Sequence, residues 1–307
     1  AALGAVVWAC GDGAGPSDFD PAPLEEQLFD LSNDFFNTSS PFAVGLFEIE
    51  IYMRPVDIDT LVGKTIEFVQ SPGKFAITTR TGAPPDAARF LLYQAGNNGT
   101  FAQPLAEVGY LDIWNQTTAQ RRQARIVAVV DGETVADYVA YATGEDAAGA
   151  TWGVTGFADL AGTRADIVAA GVRQIVNGAN RSESSAAITL PDSDLHYEGS
   201  IEAIWGGSGP WSNISSTLVD GTGGLAELAA LEVSGQFSGT VRVQGADFAT
   251  FTGPDRDHPT YSGVGDTVVT AADRSLFDRM VLSRSLPTAP RLLMDVARSF
   301  LTPVSIY

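Results

Sequence analysis

Cysteine, histidine and lysine are nearly missing from this 307-residue chain, which has one cysteine, two histidines and only Lys64 and Lys74 as lysines. A single cysteine excludes a disulfide framework and thioredoxin-type chemistry. With two histidines it also excludes zinc clusters and leaves few parts for a histidine-based catalytic site. Positive charge is scarce as well. Against 37 aspartates and glutamates stand 18 lysines and arginines, a net charge of −19. The basic surface that neutralises phosphates is therefore lacking, and no nucleic-acid partner is expected. Also absent are the Gly-x-Ser-x-Gly elbow, His-Glu-x-x-His, a Walker loop, an EF-hand loop and Gly-x-Gly-x-x-Gly after a strand, so the usual nucleophile, zinc, phosphate and calcium motifs all fail.

What is present is a globular composition. Hydrophobic residues make up 45% of the chain and charged ones 18%, with 32 Gly and 16 Pro, too apolar for disorder and too interrupted for a coiled coil. Residues 21–36 read as a helix through Leu24, Leu28, Leu31 and Phe35, with Glu25 and Glu26 near its positive end. From Phe42 the period changes to two. Phe47, Ile49, Ile51 and Met53 alternate with Glu48, Glu50 and Tyr52, which predicts a half-buried strand. Further strands are expected at 65–70, 74–81, 88–95, 105–114, 122–130 and 133–143, and the pattern continues over 150–253. In the segment 196–205, Tyr197, Ile201, Ala203 and Trp205 face one way and Glu198, Ser200 and Glu202 the other. Thr270 caps a helix over 271–285 with Leu276, Met280 and Val281 as its stripe, and 291–301 reads as a second one. The fold class expected is mainly β, an antiparallel meander in sandwich or barrel-like form with an N-terminal helix and C-terminal helices. The domain organisation expected is 1–10, a tether at 11–20, a helix with a first β unit over 21–145, and a second β unit with C-terminal helices over 146–307.

Two hairpins echo each other at a spacing of 113 residues, around Asp131-Gly132 and Gln244-Gly245. Both dipeptides suit two-residue turns with positive φ. In the second, this register sets Arg242 opposite Asp247 and Val241 opposite Phe248.

The candidate sites are few. Each histidine stands beside aspartates, Asp192 and Asp194 before His196, and Asp255 and Asp257 before His258. A carboxylate can orient an imidazole for acid/base work, which supports an alternative reading as an envelope hydrolase. The competing reading is turn chemistry, in which Asp bonds its own backbone and the histidine is solvated. No cofactor is implied, apart from weak calcium coordination by either aspartate pair. Asp57 and Asp59 fit a helix cap better than the opposed carboxylates of a glycosidase. Among Trp152, Trp205 and Trp211, flat faces able to receive sugar rings, Trp205 is expected in the core, and Trp211, after Gly206-Gly207-Ser208-Gly209-Pro210, is the one expected to meet a ligand. Five Asn-x-Ser/Thr triplets accompany a Ser- and Thr-rich β pattern, and no cysteine follows Cys10.

The N-terminus carries the one recognisable signal. Residues 1–9 are apolar, too short to span a bilayer yet like the hydrophobic region of a signal peptide whose charged start is missing. Val7-Trp8-Ala9-Cys10 resembles the lipobox of bacterial lipoproteins, with a branched residue at −3, a small one at −1 and a glycine after the cysteine. The resemblance covers about ten residues. It implies export, lipid attachment at Cys10, a membrane partner reached through that lipid, and residence in the cell envelope. The segment 11–18 is the flexible polar tether such an anchor needs. The strand units at 88–93 and 107–112 resemble β-rich bacterial envelope lipoproteins, a likeness that names no activity. A structural or binding role at the envelope, with a protein or a carbohydrate as partner, is the function expected.

Overall fold

The computed structural model describes residues 19–28, 40–52, 57–70, 73–97, 99–146, 149–159, 163–176, 178–205, 211–221, 223–254, 259–282, 286, 290 and 293–294. Fifteen strands form one sheet: β1 (Thr65–Val69), β2 (Lys74–Ile77), β3 (Ala88–Tyr93), β4 (Glu107–Asn115), β5 (Arg122–Val130), β6 (Glu133–Asp146), β7 (Gly149–Asp159), β8 (Arg164–Val176), β9 (Ala179–Leu190), β10 (Leu195–Trp205), β11 (Trp211–Val219), β12 (Leu225–Val233), β13 (Gln236–Val243), β14 (Ala246–Gly253) and β15 (Thr260–Gly263). From β3 to β15 every strand pairs antiparallel with its neighbour in sequence, and the β1–β2 hairpin joins through a short parallel pairing of β1 with β3. This is the expected meander. The sandwich or barrel suggested by the sequence does not form, because the ladder is a single open sheet with β2 and β15 at its two edges. It also runs without a break past residue 145, where β6 pairs with β7.

The hairpins place their connections alternately at two ends of the sheet. Those after β5, β7, β9, β11 and β13 fall at one end, and those after β6, β8, β10, β12 and β14 at the other. Both echoing turns lie at the first end. Asp131 and Gly132 have φ of 51° and 85°, and Gln244 and Gly245 have 51° and 76°, the two successive left-handed residues of a type I′ turn. Arg242 pairs with Asp247 as expected, but Val241 pairs with Ala249, because Phe248 is the extra residue of a β-bulge. The first hairpin is bulged in the same place, with Ala128 paired to Ala136 and Val129 to Thr134, so that Val135 is left over.

One face of the sheet is apolar and covered by helices. Along β8, Ala165, Ile167, Ala169 and Gly171 are buried while Val168 points to solvent, the period-two signature of a one-sided sheet. The helix at residues 22–28 (α1) starts where the sequence places it, with Asp20 accepting from the Ala22 N–H at 3.1 Å. The remainder of the predicted 21–36 helix lies outside the described residues. Helix α2 (Pro41–Tyr52) lies against β2 to β5, and α3 (Ala271–Leu282) against β12. Thr270 caps α3 through a reciprocal pair: its Oγ1 accepts from the Asp273 N–H at 3.2 Å, and its own N–H donates to Asp273 Oδ2 at 2.8 Å. Leu276, Met280 and Val281 are buried as predicted, together with Phe277. Glu25 of α1 clips the two helices together by accepting from Ser275 and Arg279 of α3 at 2.6 and 2.9 Å, and these bonds hold its carboxyl below the ordinary glutamate range. Of the predicted 291–301 helix only 293–294 are described, and both are helical.

Met53 lies outside the described residues, and over residues 47–52 the expected strand is instead α2. Its start was written in Ser40-Pro41: Ser40 Oγ accepts from the Ala43 N–H at 3.0 Å, and Pro41 follows with the φ of a first helical residue. The alternation of Glu48 and Glu50 with isoleucines imitates a strand, but the helix buries the consecutive residues Phe42 to Leu46 together with Glu48, at 4% exposure, and Ile49, and leaves Phe47 and Ile51 exposed one turn apart. Among the described residues Glu48 Oε2 has no hydrogen-bond partner, and burial pushes the Glu48 carboxyl above the usual glutamate range. A raised folded-state pKa favours the native state at pH below the unfolded value, and that advantage is lost as pH rises through the folded value. Glu48→Gln is therefore expected to raise the melting temperature at pH 7 and to change it little at pH 4; equal melting at both pH values would contradict the assignment.

Candidate functional site

The covered face is occupied by side chains and helices, so the accessible chemistry lies on the opposite face. Across β8 to β11, Ala170, Ser185, Ser200 and Ser215 are successive cross-strand partners on that face. Small side chains on four adjacent strands leave a trough of about 360 Å³, whose lining also includes Val172, Glu183, Glu202 and Asn213. Ser200 and Ser215 hydrogen-bond each other at 2.8 Å across its floor. Glu183 and Glu202 are direct cross-strand partners, an arrangement in which like charges repel. Arg181 resolves the conflict. Its guanidinium bonds both carboxylates, Glu202 at 2.8 Å. One positional step further along the strands, Arg181, Ile204, Trp211 and Val233 form the next cross-strand row. The trough therefore has hydroxyls below, an acid-base-acid cluster and an amide on one wall, and a tryptophan beyond that wall.

The tryptophans separate by face. Trp152 packs on the core side with its indole over Gly171, where a Cβ would stand 2.1 Å from Nε1. Trp205 corrects the sequence reading: it is 52% exposed, because β10 runs on beyond the covered part of the sheet. Trp211 is half-buried on the open face, between Ile204 and Val233.

His196 lies on the same open face of β10. Its Nδ1 meets Thr189 Oγ1 at 3.0 Å and its Nε2 meets Glu198 Oε1 at 3.1 Å, so its carboxylate partner is Glu198. Asp192 and Asp194 occupy the β9–β10 turn, and Asp194 takes φ of 53° and packs against Gly221 of the next turn. Ser200 is four residues from His196 on the same face, roughly 13 Å at the rise of a strand. Asp255, Asp257 and His258 lie outside the described residues; their flanking Gly253 and Thr260 stand at the other end of the sheet from Asp192 and Asp194. Among the described residues, no three of His, Cys, Asp and Glu come close enough to hold a metal ion. Cys10 and its tether also lie outside them. No described helix is long and apolar enough to cross a membrane.

No family model matches the chain. Comparison with curated proteins and with solved structures also gives no match.

Sequence reasoning placed Glu198, Ser200 and Glu202 on one wet face but did not assemble them with Arg181, Glu183, Ser185 and Asn213. The signal available was parity in β10, where His196, Glu198, Ser200 and Glu202 alternate with Tyr197, Gly199, Ile201 and Ala203; β9 and β11 carry polar residues at consecutive positions, from Asn180 to Ser185 and from Ser215 to Thr217, so only the hairpin registers assign those to a face.

Proposed function

We propose that the chain is an exported envelope protein, lipid-anchored through Cys10, that binds a neutral polyhydroxylated ligand in the open-face trough. The observation that carries the binding half is the trough itself. Carboxylates accept from sugar hydroxyls, the serine and asparagine groups both donate and accept, and the Trp211 indole beside the wall offers an apolar face to ring C–H groups. The anchoring half is supported by the Val7-Trp8-Ala9-Cys10 sequence and the polar segment after it.

Each half has its own test. Intact-mass measurement of the membrane fraction is expected to give a protein beginning at Cys10 and carrying lipid; a mature chain that retains residues 1–9 with a free thiol would overturn anchoring. Calorimetric titration with cellohexaose and with soluble oligosaccharides of other linkages is expected to show binding by the wild type. Ser200→Trp, which fills the trough floor, is expected to weaken it at least about tenfold, as loss of a ligand's main contact surface does. Binding that survives Ser200→Trp, or no binding to any sugar, would remove the trough as the site.

A further inference from the structure

The row of side chains that floors the trough runs on past it in one direction and stops in the other. Beyond Ser215 the successive cross-strand partners on the open face are Ala229 of β12, Thr240 of β13, Thr250 of β14 and Ser262 of β15. All four are exposed, so nothing larger than threonine stands in the row before the sheet edge. In the other direction the partner of Ala170 is Gly153 of β7, which is buried although it belongs to the open face. What buries it is Tyr141 of β6, its partner on the far side. A Cβ at Gly153 would stand 2.4 Å from Tyr141 Cε1 and 2.5 Å from both Cζ and the hydroxyl oxygen, so the tyrosine can lie across this position only because it is glycine. The Arg121 guanidinium lies over the same ring, 4.5 Å from its centroid, and donates to Oε1 of Gln123, the cross-strand partner of Tyr141 on β5. The row of small residues therefore ends at β7 against three large side chains.

We propose that Tyr141, with Arg121 over it, closes the trough at β7, so that the site takes the end of a linear glycan chain and not a stretch from its middle. The inference rests on the reading of the trough as a sugar site. From Gly153 to Ser215 is four strand spacings, roughly 19 Å, which accommodates several sugar rings laid end to end across the strands. A chain lying in the row can leave over the small residues of β12 to β15. At β7 it meets an aromatic ring and a guanidinium, and continuing would require lifting Tyr141 off Gly153. A terminal sugar also carries a hydroxyl where an internal unit carries its next glycosidic bond. The Tyr141 hydroxyl lies over Gly153, one strand from Ala170, and can donate to or accept from such a group, while Arg121 supplies further N–H donors beside it. Tyr141 is thus a specificity-determining residue that reads where the chain stops.

The test is calorimetric titration of the full chain with cellohexaose, laminarihexaose and maltohexaose, each beside a soluble polymer of the same linkage. For the linkage that binds, wild type is expected to bind the polymer more weakly than the hexasaccharide at equal sugar mass, by the ratio of the two chain lengths, because only ends are read. It is also expected to take up one protein molecule per hexasaccharide. Tyr141→Ala opens the closed end and is expected to erase the difference between polymer and hexasaccharide, whereas Tyr141→Phe keeps the ring and is expected to preserve it. Circular dichroism melting shows that folded variants are compared, and the wild-type comparison decides by itself should Tyr141→Ala not fold. Wild type that binds polymer and hexasaccharide equally well at equal sugar mass, or a Tyr141→Ala protein that still discriminates between them, would overturn the closed end while leaving the trough as the site. No sugar binding by wild type, or binding that survives Ser200→Trp, would remove the trough and the closed end together.

Discussion

Asp112→Ala is expected to cost about 3 kcal/mol of stability, the lower end of what breaking a buried ion pair costs. Asp112 of β4 stands directly across from Arg89 of β3 and accepts two parallel bonds from it, from Nε and Nη2, both at 2.7 Å. The two side chains are only 5% and 19% exposed, and the guanidinium also stacks on the Tyr110 ring at 3.6 Å. These bonds lift the Arg89 pKa further above its ordinary value. Removing the carboxylate leaves a fixed positive charge in a pocket that water reaches poorly, and arginine cannot shed its proton to escape. A nearby pair provides the control. Arg80 and Glu107 make a comparable fork at 2.7 and 3.1 Å, but their side chains are 48% and 40% exposed, so Glu107→Ala is expected to cost under about 1 kcal/mol. Replacing both Arg89 and Asp112 by leucine is expected to recover most of the loss, since an apolar pair of similar volume leaves nothing unpaired. Urea denaturation of the three variants decides the matter. Similar midpoints for Asp112→Ala and Glu107→Ala would show that burial does not govern this pair.

Gly109→Ala is expected to be comparably damaging, at about 3 kcal/mol or more, the upper range for overpacking. A Cβ at Gly109 would lie 1.9 Å from the Val129 carbonyl oxygen, 2.9 Å from its carbon and 3.0 Å from Val130 Cα. All three are backbone atoms of β5, which cannot rotate aside as a side chain would. The position is also next to the bulge where β3 slips against β4, between Leu92 and Tyr93. Relief therefore requires β4 and β5 to separate at Gly109–Val130, with loss of ladder hydrogen bonds on both sides. Gly132→Ala isolates the other reason for glycine. It has φ of 85° and nothing within 4 Å of a Cβ, so only the left-handed conformation resists, at about 1 kcal/mol. Melting curves that rank Gly132→Ala as the more damaging of the two would refute the close-approach argument.

Much of the fold was legible because antiparallel hairpins leave local marks. Asp-Gly and Gln-Gly between apolar runs gave both turns, alternation gave the strands from 65 onward, and Thr270 gave the start of α3. What failed was of another kind. Period two over 47–53 describes composition on two faces and says nothing of length or cap, so Ser40-Pro41 outweighed it once the segment had a sheet to pack against. Phe248 slipped because a bulge adds a residue without changing the turn. Trp205 appeared as a core residue since its parity is that of the core; its exposure depends on where the helices stop covering the sheet, which no local pattern records. The trough was hidden for a related reason: it belongs to no segment and arises only when the three registers that join four strands are laid side by side.

Thirteen successive strands that each pair only with the next have a consequence for how such a chain can change. A hairpin can be inserted or deleted between two others without rewiring any remaining pairing, because every contact of the ladder is with the next strand along. The sheet behaves as a tape that lengthens two strands at a time. Each addition widens the open face by about 10 Å, two strand spacings, and brings one more hairpin to each margin. The same nearest-neighbour wiring keeps sequence separation between partners small, so the ladder can assemble from any nucleated hairpin outward without first closing a long loop.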